Sequence, residues 1–154
     1  MRLFAAAGVL VAALATAVVA RAWLGERSLA EGRVAQRRGE FDVAAADYRA
    51  AGGRGNADAA VDLARLQLLR REWTGAAASL REAMALAPTR GLPHVLQARL
   101  EMDSPGAWDD AREKRIVGSC AIATALEPTR ATIVRECQSI EGRLAELRRS
   151  ERGR

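Results

Sequence analysis

The stretch REWTGAAASLREAMALAP, residues 71–88, decides the fold. Four residues of this stretch lie at offsets of 0, 3, 7 and 10: Trp73, Ala76, Leu80 and Ala83. This is the spacing of residues on one face of a helix. A proline closes the stretch and prevents the helix from continuing. Because two positions of this face carry only a methyl group, the pattern predicts a helix that a second backbone approaches closely.

The same pattern occurs earlier in the chain. The segment RGEFDVAAADYRAA (38–51) aligns without a gap with RREWTGAAASLREA (70–83), at an offset of 32 residues. Phe41 takes the place of Trp73, and four alanines occupy the same places in both segments. A repeat of this length predicts stacked helix hairpins.

A third, weaker copy follows. It begins at GAWDDAREKR (106–115), with Trp108 in the aromatic place and Ala111 in the alanine place. A second echo links LAPTR (86–90) with LEPTR (126–130), 40 residues further on. The repeat therefore continues through most of the chain, but its period lengthens.

These repeats resemble the tetratricopeptide repeat (TPR) family. In that family the second helix of each unit carries Ala, a large apolar residue and Ala, followed by a closing Pro. The unit 57–88 fits best, the unit 25–56 fits with Gly32 at the small position, and the unit 91–128 departs most. The resemblance implies an all-α solenoid of about three helix hairpins over residues 25–128.

A last helix is predicted over residues 129–149. Its apolar residues form one stripe at helical spacing: Ile133, Cys137, Ile140 and Leu144. The other faces are polar, as expected of a helix that caps the end of a repeat array. The remaining residues, 150–154, are predicted to be a basic disordered tail.

Composition favours the same class. Apolar residues make up 49% and aromatic residues 4%, and no strand-length alternation of β-branched residues occurs. The net charge of +5 comes from the two ends, because residues 25–142 hold 17 basic and 17 acidic side chains. A neutral body argues against nucleic-acid binding, which requires a basic face.

The first 24 residues differ from the rest. Residues 3–20 form an uncharged apolar run of 18 residues between Arg2 and Arg21, and a helix of that length measures about 27 Å, close to the thickness of a bilayer core. This favours an uncleaved transmembrane signal-anchor at 1–24 and a single-pass protein of the bacterial inner membrane. The alternative is a signal peptide that is cleaved after Ala20.

Two signals disagree about which side of the membrane the repeats would face. Counting arginines on both sides of the apolar run favours the cytoplasm. The two cysteines, Cys120 and Cys137, lie equally far from the predicted turn between the last two helices, so they could face each other as a disulfide. Because disulfides require an oxidising compartment, this favours the periplasm. A pair of reduced thiols remains the alternative.

No active site is predicted. His94, the sole histidine, follows a proline at a predicted helix start and has no cysteine or acid partner at catalytic spacing. The segment GGRGN (52–56) lacks the Gly-Lys-Ser/Thr of a phosphate loop. The sequence therefore predicts a protein that is not an enzyme, with no catalytic residue, no cofactor and no metal.

Two rows of residues recur at fixed places in the three units. The ninth residue of each unit is an arginine: Arg33, Arg65 and Arg99. The fifth is aliphatic: Leu29, Val61 and Val95. The resemblance places both rows on the concave groove of the TPR fold, where they would bind an acidic or C-terminal segment of a protein partner. The family's clamp for C-terminal carboxylates uses Lys and Asn, which these positions lack.

The predicted function is accordingly a membrane-anchored interaction scaffold of the cell envelope that binds a partner segment in its groove. The alternative is a structural or oligomerisation subunit of an envelope assembly, with no groove function. The same arginines would then be solvated and paired with nearby acids. Substitution of the arginines distinguishes the two.

Overall fold

The computed structural model describes residues 2–152, with side chains from residue 12 to residue 150. Over this range all the regular secondary structure is α-helical, and the all-α class predicted from the sequence is confirmed there. Its helices, in chain order, are α1 (Arg2–Arg37), α2 (Phe41–Gly52), α3 (Ala57–Leu69), α4 (Trp73–Leu86), α5 (Leu92–Asp103), α6 (Asp110–Leu126) and α7 (Ala131–Arg152).

The chain divides into two compact units, and in sequence the boundary falls between Ala60 and Val61. In the first unit, α1 packs on α2 where a glycine faces an aromatic ring. A Cβ atom on Gly32 would lie 2.7 Å from Cε1 of Tyr48, so no larger residue fits without displacing the ring. Tyr48 is fully buried, and its hydroxyl donates to Oε1 of Gln36 at 2.6 Å.

In the second unit, α4 uses the face that the sequence predicts. Ala76, Leu80 and Ala83 are all 0% exposed. A buried polar pair fixes α4 on α3, because the Ser79 hydroxyl donates to Oε1 of Gln67 at 2.8 Å. Small residues along α4 therefore bring the two backbones together, as the opening stretch predicts.

Helices α5, α6 and α7 share one hydrophobic cluster, and Trp108 packs against it. The four apolar residues of the predicted stripe on α7 all belong to this cluster. The register predicted for α6 is wrong by one residue: Ala111 is exposed, whereas Arg112 and Ile116 are buried. The linker before α6 is longer than in the first two hairpins, which shifts the buried face.

The membrane anchor predicted at 1–24 requires correction. Among the residues whose side chains are described, none belongs to a helix that is long and apolar enough to cross a membrane. This finding overturns the transmembrane part of the predicted fold and the single-pass inner-membrane localisation, in either orientation. Residues 1–11 of that prediction lie outside the described side chains.

The described N-terminal part of α1 exposes apolar side chains to solvent. The helix is continuous from Arg2 to Arg37. Several of its apolar side chains are more than half exposed: Leu14, Val18, Val19 and Trp23. Further along, Arg21 donates to the carbonyl oxygens of Gly53 at 2.7 Å and Arg54 at 3.2 Å, so α1 is held against the loop that follows α2.

Candidate functional site

The three arginines of the predicted row lie on the first helix of each hairpin. Arg33 is on α1, Arg65 on α3 and Arg99 on α5, and all three are exposed. The four-residue spacing of each arginine from its aliphatic companion places both near one side of their helix. In the second unit, solvent therefore reaches the guanidiniums of Arg65 and Arg99.

Two of these arginines make only weak ion pairs within the protein. Nη1 of Arg65 lies 3.5 Å from Oδ1 of Asp62, and Nε of Arg99 lies 3.5 Å from Oδ2 of Asp103. The arginine side chains are 46% and 50% exposed, so solvent screens both pairs and each is worth at most about 1 kcal/mol. Arg33 also has an interaction within the protein.

Asp103 is shared between two helices. Its Oδ1 accepts a hydrogen bond from Nη2 of Arg143, on α7, at 2.8 Å. The contact with Arg143 is shorter than the contact with Arg99 at 3.5 Å. Asp103 is therefore shared between Arg99 and Arg143, with the closer contact to Arg143.

The sequence analysis missed the pairing of Asp103 with Arg143, although a signal was present. The two residues are 40 positions apart, the same offset that separates LAPTR from LEPTR. Residues one repeat apart occupy equivalent heights on neighbouring first helices, where they can contact each other. The lengthened period thus indicates this pair.

The aliphatic row is placed differently from the arginines. Leu29, Val61 and Val95 are 3%, 3% and 2% exposed. Val95 belongs to the hydrophobic cluster of α5, α6 and α7. In the present structure these side chains contribute to packing, and the arginines form the part of each row that solvent reaches.

Arg112 is a buried arginine that the sequence analysis did not single out. It is 5% exposed, and its guanidinium is surrounded by oxygens of the linker and of the end of α5: Glu101 O (2.6 Å), Gly106 O (3.3 Å), Ala107 O (3.5 Å), Ser104 Oγ (3.0 Å) and Ser104 O. Its Cζ also lies 5.2 Å from the ring centroid of Trp108. The group is fully engaged and therefore holds the linker in place, with no donor directed at solvent.

The two cysteines come together in the hydrophobic cluster. Cys120 is 1% exposed and Cys137 is 2% exposed, and Sγ of Cys137 lies 3.7 Å from the carbonyl oxygen of Cys120. Both are free thiols in this structure. Burial raises the pKa of each thiol above its usual value, so both are protonated near neutral pH and neither is a reactive nucleophile.

The remaining polar groups form no metal site among the described residues. Over that range, no three residues of the His, Cys, Asp and Glu types are placed to hold a metal ion. His94 is half-buried on α5, and burial lowers its pKa. It is therefore neutral at pH 7.

Comparison with known proteins identifies the fold. No protein-family model matches the sequence, and no curated protein matches it. Among solved structures, the chain is similar to the TPR domain of Arabidopsis OM64, with a TM-score of 0.67 and 17% identity over 82% of this chain and 98% of that one. It is also similar to the first TPR domain of Spaghetti (RPAP3) bound to the HSP90 peptide SRMEEVD, with a TM-score of 0.65 and 14% identity over 80% of this chain and 95% of that one. The described helices therefore have a TPR-like fold.

Proposed function

We propose that this chain is a protein-interaction scaffold that binds an acidic or C-terminal segment of a partner protein through Arg65 on α3 and Arg99 on α5. The observation that carries the proposal is that these two arginines, at the same place in two successive hairpins, are exposed and lie in loose ion pairs at 3.5 Å. The solved TPR domain of Spaghetti is bound to a peptide with the sequence SRMEEVD, which has three acidic residues and one basic residue. That complex supports the choice of an acidic segment.

The chemistry of recognition follows from the guanidinium group. A planar guanidinium can bind a carboxylate through two parallel hydrogen bonds, which is stronger and more specific than a single contact to a point charge. A partner carboxylate would replace Asp62 or Asp103 as the acceptor at Arg65 or Arg99. Because the existing pairs are long and solvent-screened, the exchange costs the protein little.

The first experiment reverses the charge of two arginines. In the double variant R65E/R99E, binding of heptapeptides with free carboxyl termini and two or three acidic residues should weaken at least tenfold. The physical reason is that two attractive guanidiniums become repulsive carboxylates at the binding surface. Fluorescence anisotropy of labelled peptides measures the affinity, and circular dichroism confirms that the helices remain folded.

The matched control is the double variant R81E/R135E, which makes the same change in net charge at two other exposed positions, on α4 and α7. Equal weakening in both double variants would show nonspecific charge attraction and would overturn the proposal. So would equal binding of the acidic peptides and of versions with Gln and Asn in place of Glu and Asp. Unchanged binding in R65E/R99E would favour the structural or oligomerisation subunit instead.

A second experiment uses the shared aspartate. Asp103→Asn removes the carboxylate that competes for Arg99, so acidic peptides should bind about two- to fivefold more tightly, in line with the small value of an exposed ion pair. Glu82→Gln, at an exposed position on α4, changes the net charge equally and should have a smaller effect. If both variants bind equally well, Asp103 does not compete for Arg99.

A further inference from the structure

The sequence contains two cysteines, Cys120 and Cys137. They lie on consecutive helices, α6 and α7, which pack against each other. Sγ of Cys137 lies 3.7 Å from the backbone oxygen of Cys120, and both side chains are buried in the same hydrophobic cluster. The two cysteines are therefore neighbours on facing helices, and a disulfide requires such a close approach.

The positions along the chain agree with this contact. Helix α6 ends at Leu126 and α7 begins at Ala131, so Cys120 precedes Leu126 by six residues and Cys137 follows Ala131 by six. Residues equally far from the connection of two antiparallel helices lie at the same height. The contact is therefore a consequence of the register of α6 and α7.

Other roles for the pair fit the structure less well. The described residues include no third His, Cys, Asp or Glu near enough to complete a metal site. A catalytic thiol should be exposed and have a lowered pKa, but both thiols are buried and have raised pKa values. Packing alone remains, and it does not require a cysteine at both positions.

Helix α7 is also the element that a cross-link would stabilise most. Its apolar contacts come from one narrow stripe, and its polar anchors are ion pairs of half-exposed arginines: Arg143 with Asp103 on α5 and Arg148 with Glu113 on α6. Such pairs contribute little to stability. Without a covalent link, α7 should therefore be among the first parts of its unit to open.

We propose that Cys120 and Cys137 form an intrachain disulfide that fastens α7 to α6 when the protein meets a small-molecule disulfide such as oxidised glutathione. One cysteine thiolate attacks a glutathione sulfur and releases one glutathione thiolate. The second cysteine thiolate then attacks the mixed disulfide and releases the other. The two cysteines lose two electrons and two protons, and one glutathione disulfide becomes two molecules of glutathione.

Because both thiols are buried, the first attack follows a local opening of α7. Once formed, the bond closes a loop that contains 16 residues between the two cysteines, and a loop of this size restricts the unfolded chain substantially. The expected result is a thermal midpoint higher by several degrees, on the order of 5–15 °C. The reduced and oxidised proteins should share the same helical content.

The test compares the full chain before and after incubation with oxidised glutathione. After denaturation and alkylation without reduction, the oxidised protein should remain a monomer, lose the mass of two hydrogen atoms and carry no alkyl group. Its thermal midpoint should rise and should return to the starting value after treatment with dithiothreitol. Hydrogen exchange of α7 should slow more than that of α3 and α4.

The controls are the single variants Cys120→Ala and Cys137→Ala, whose thermal midpoints should not rise on oxidation. The mass measurement on the unsubstituted chain decides the question even if a variant fails to fold. Two glutathione adducts, an intermolecular dimer or full alkylation after oxidation would overturn the proposal. A midpoint that falls when the bond forms would overturn the stabilising role.

Discussion

The first two hairpins and the third hairpin are closed in different ways. The connections at 38–40 and 70–72 have three residues each, and the middle residue has a left-handed backbone. For Gly39 the φ angle is 78°, and for Arg71 it is 59°. The connection at 104–109 is twice as long, and the side chain of Arg112 closes it.

In the short turns the backbone itself satisfies the end of the helix. The same two hydrogen bonds recur in both turns: Glu40 N to Ala35 O (3.0 Å) and Gly39 N to Gln36 O (3.1 Å), then Glu72 N to Gln67 O (2.8 Å) and Arg71 N to Leu68 O (3.1 Å). This is the pattern of a helix C-terminus with a left-handed residue. It requires one residue at positive φ, and that conformation is what glycine adopts without steric cost.

In the third hairpin a side chain does what the backbone does in the others. The guanidinium of Arg112 donates to carbonyl oxygens of Glu101, Ser104, Gly106 and Ala107. A single residue of the next helix thus organises a linker that contains a proline, which has no backbone donor of its own. The difference shows that a hairpin can lose its short turn if one buried donor replaces several backbone hydrogen bonds.

The largest expected effect is the loss of that donor. Arg112→Ala should lower the free energy of unfolding by about 3 kcal/mol, because it leaves several carbonyls of the linker without a donor and removes the group packed on Trp108. Urea unfolding followed by circular dichroism measures the change. The control is Arg115→Ala, which removes a half-exposed ion pair with Glu101 at 3.1 Å and should cost at most about 1 kcal/mol. Equal losses in the two variants would contradict the role assigned to Arg112.

A smaller loss is expected at the first short turn. Gly39→Ala should lower the free energy of unfolding by about 1–2 kcal/mol, because a Cβ atom disfavours positive φ. The cost is conformational, since that Cβ would meet nothing within 4 Å. Gly118→Ala is the matched control: its Cβ also meets nothing within 4 Å, but Gly118 lies inside α6, where alanine should stabilise by about 0.5–1 kcal/mol. Urea unfolding measures both changes. If the two variants shift the urea midpoint in the same direction, this interpretation is contradicted.

These turns also show how far the sequence predicts the structure. The aligned segments 38–51 and 70–83 predict two helices with the same buried face, and both are present. The third unit is harder because its linker is longer, so an alignment by Trp108 and Ala111 puts the buried face of α6 one residue too early. The position that is actually buried holds Arg112. A charged residue in an apolar register is normally read as solvent-exposed, and only the folded linker shows its acceptors.

The candidate site stays a prediction. The repeat alignment puts Arg65 and Arg99 at the same place in their units, and the resemblance assigns that place to a groove; the structure shows that both residues are exposed. Periodicity does not reveal how deeply their aliphatic companions are buried, because burial depends on the neighbouring helices. Periodicity also does not predict the role of Asp103, because its partner Arg143 lies 40 residues away on another helix.

The smallest expected effect is a gain at the second short turn. Arg71 has a positive φ angle, as Gly39 does, but its Cβ atom makes that conformation unfavourable. Arg71→Gly should therefore raise the free energy of unfolding by about 0.5–1 kcal/mol. Part of the relief is offset because glycine also makes the unfolded chain more flexible. A urea midpoint shifted upward with an unchanged slope is the measurement. The neighbouring substitution Arg70→Gly should destabilise instead, because the backbone there has no positive φ and Arg70 pairs with Glu72 at 2.7 Å. If Arg71→Gly also destabilises, the Arg71 side chain stabilises the folded protein by more than its positive φ angle costs. The two short turns would then share a backbone conformation but be stabilised by different interactions.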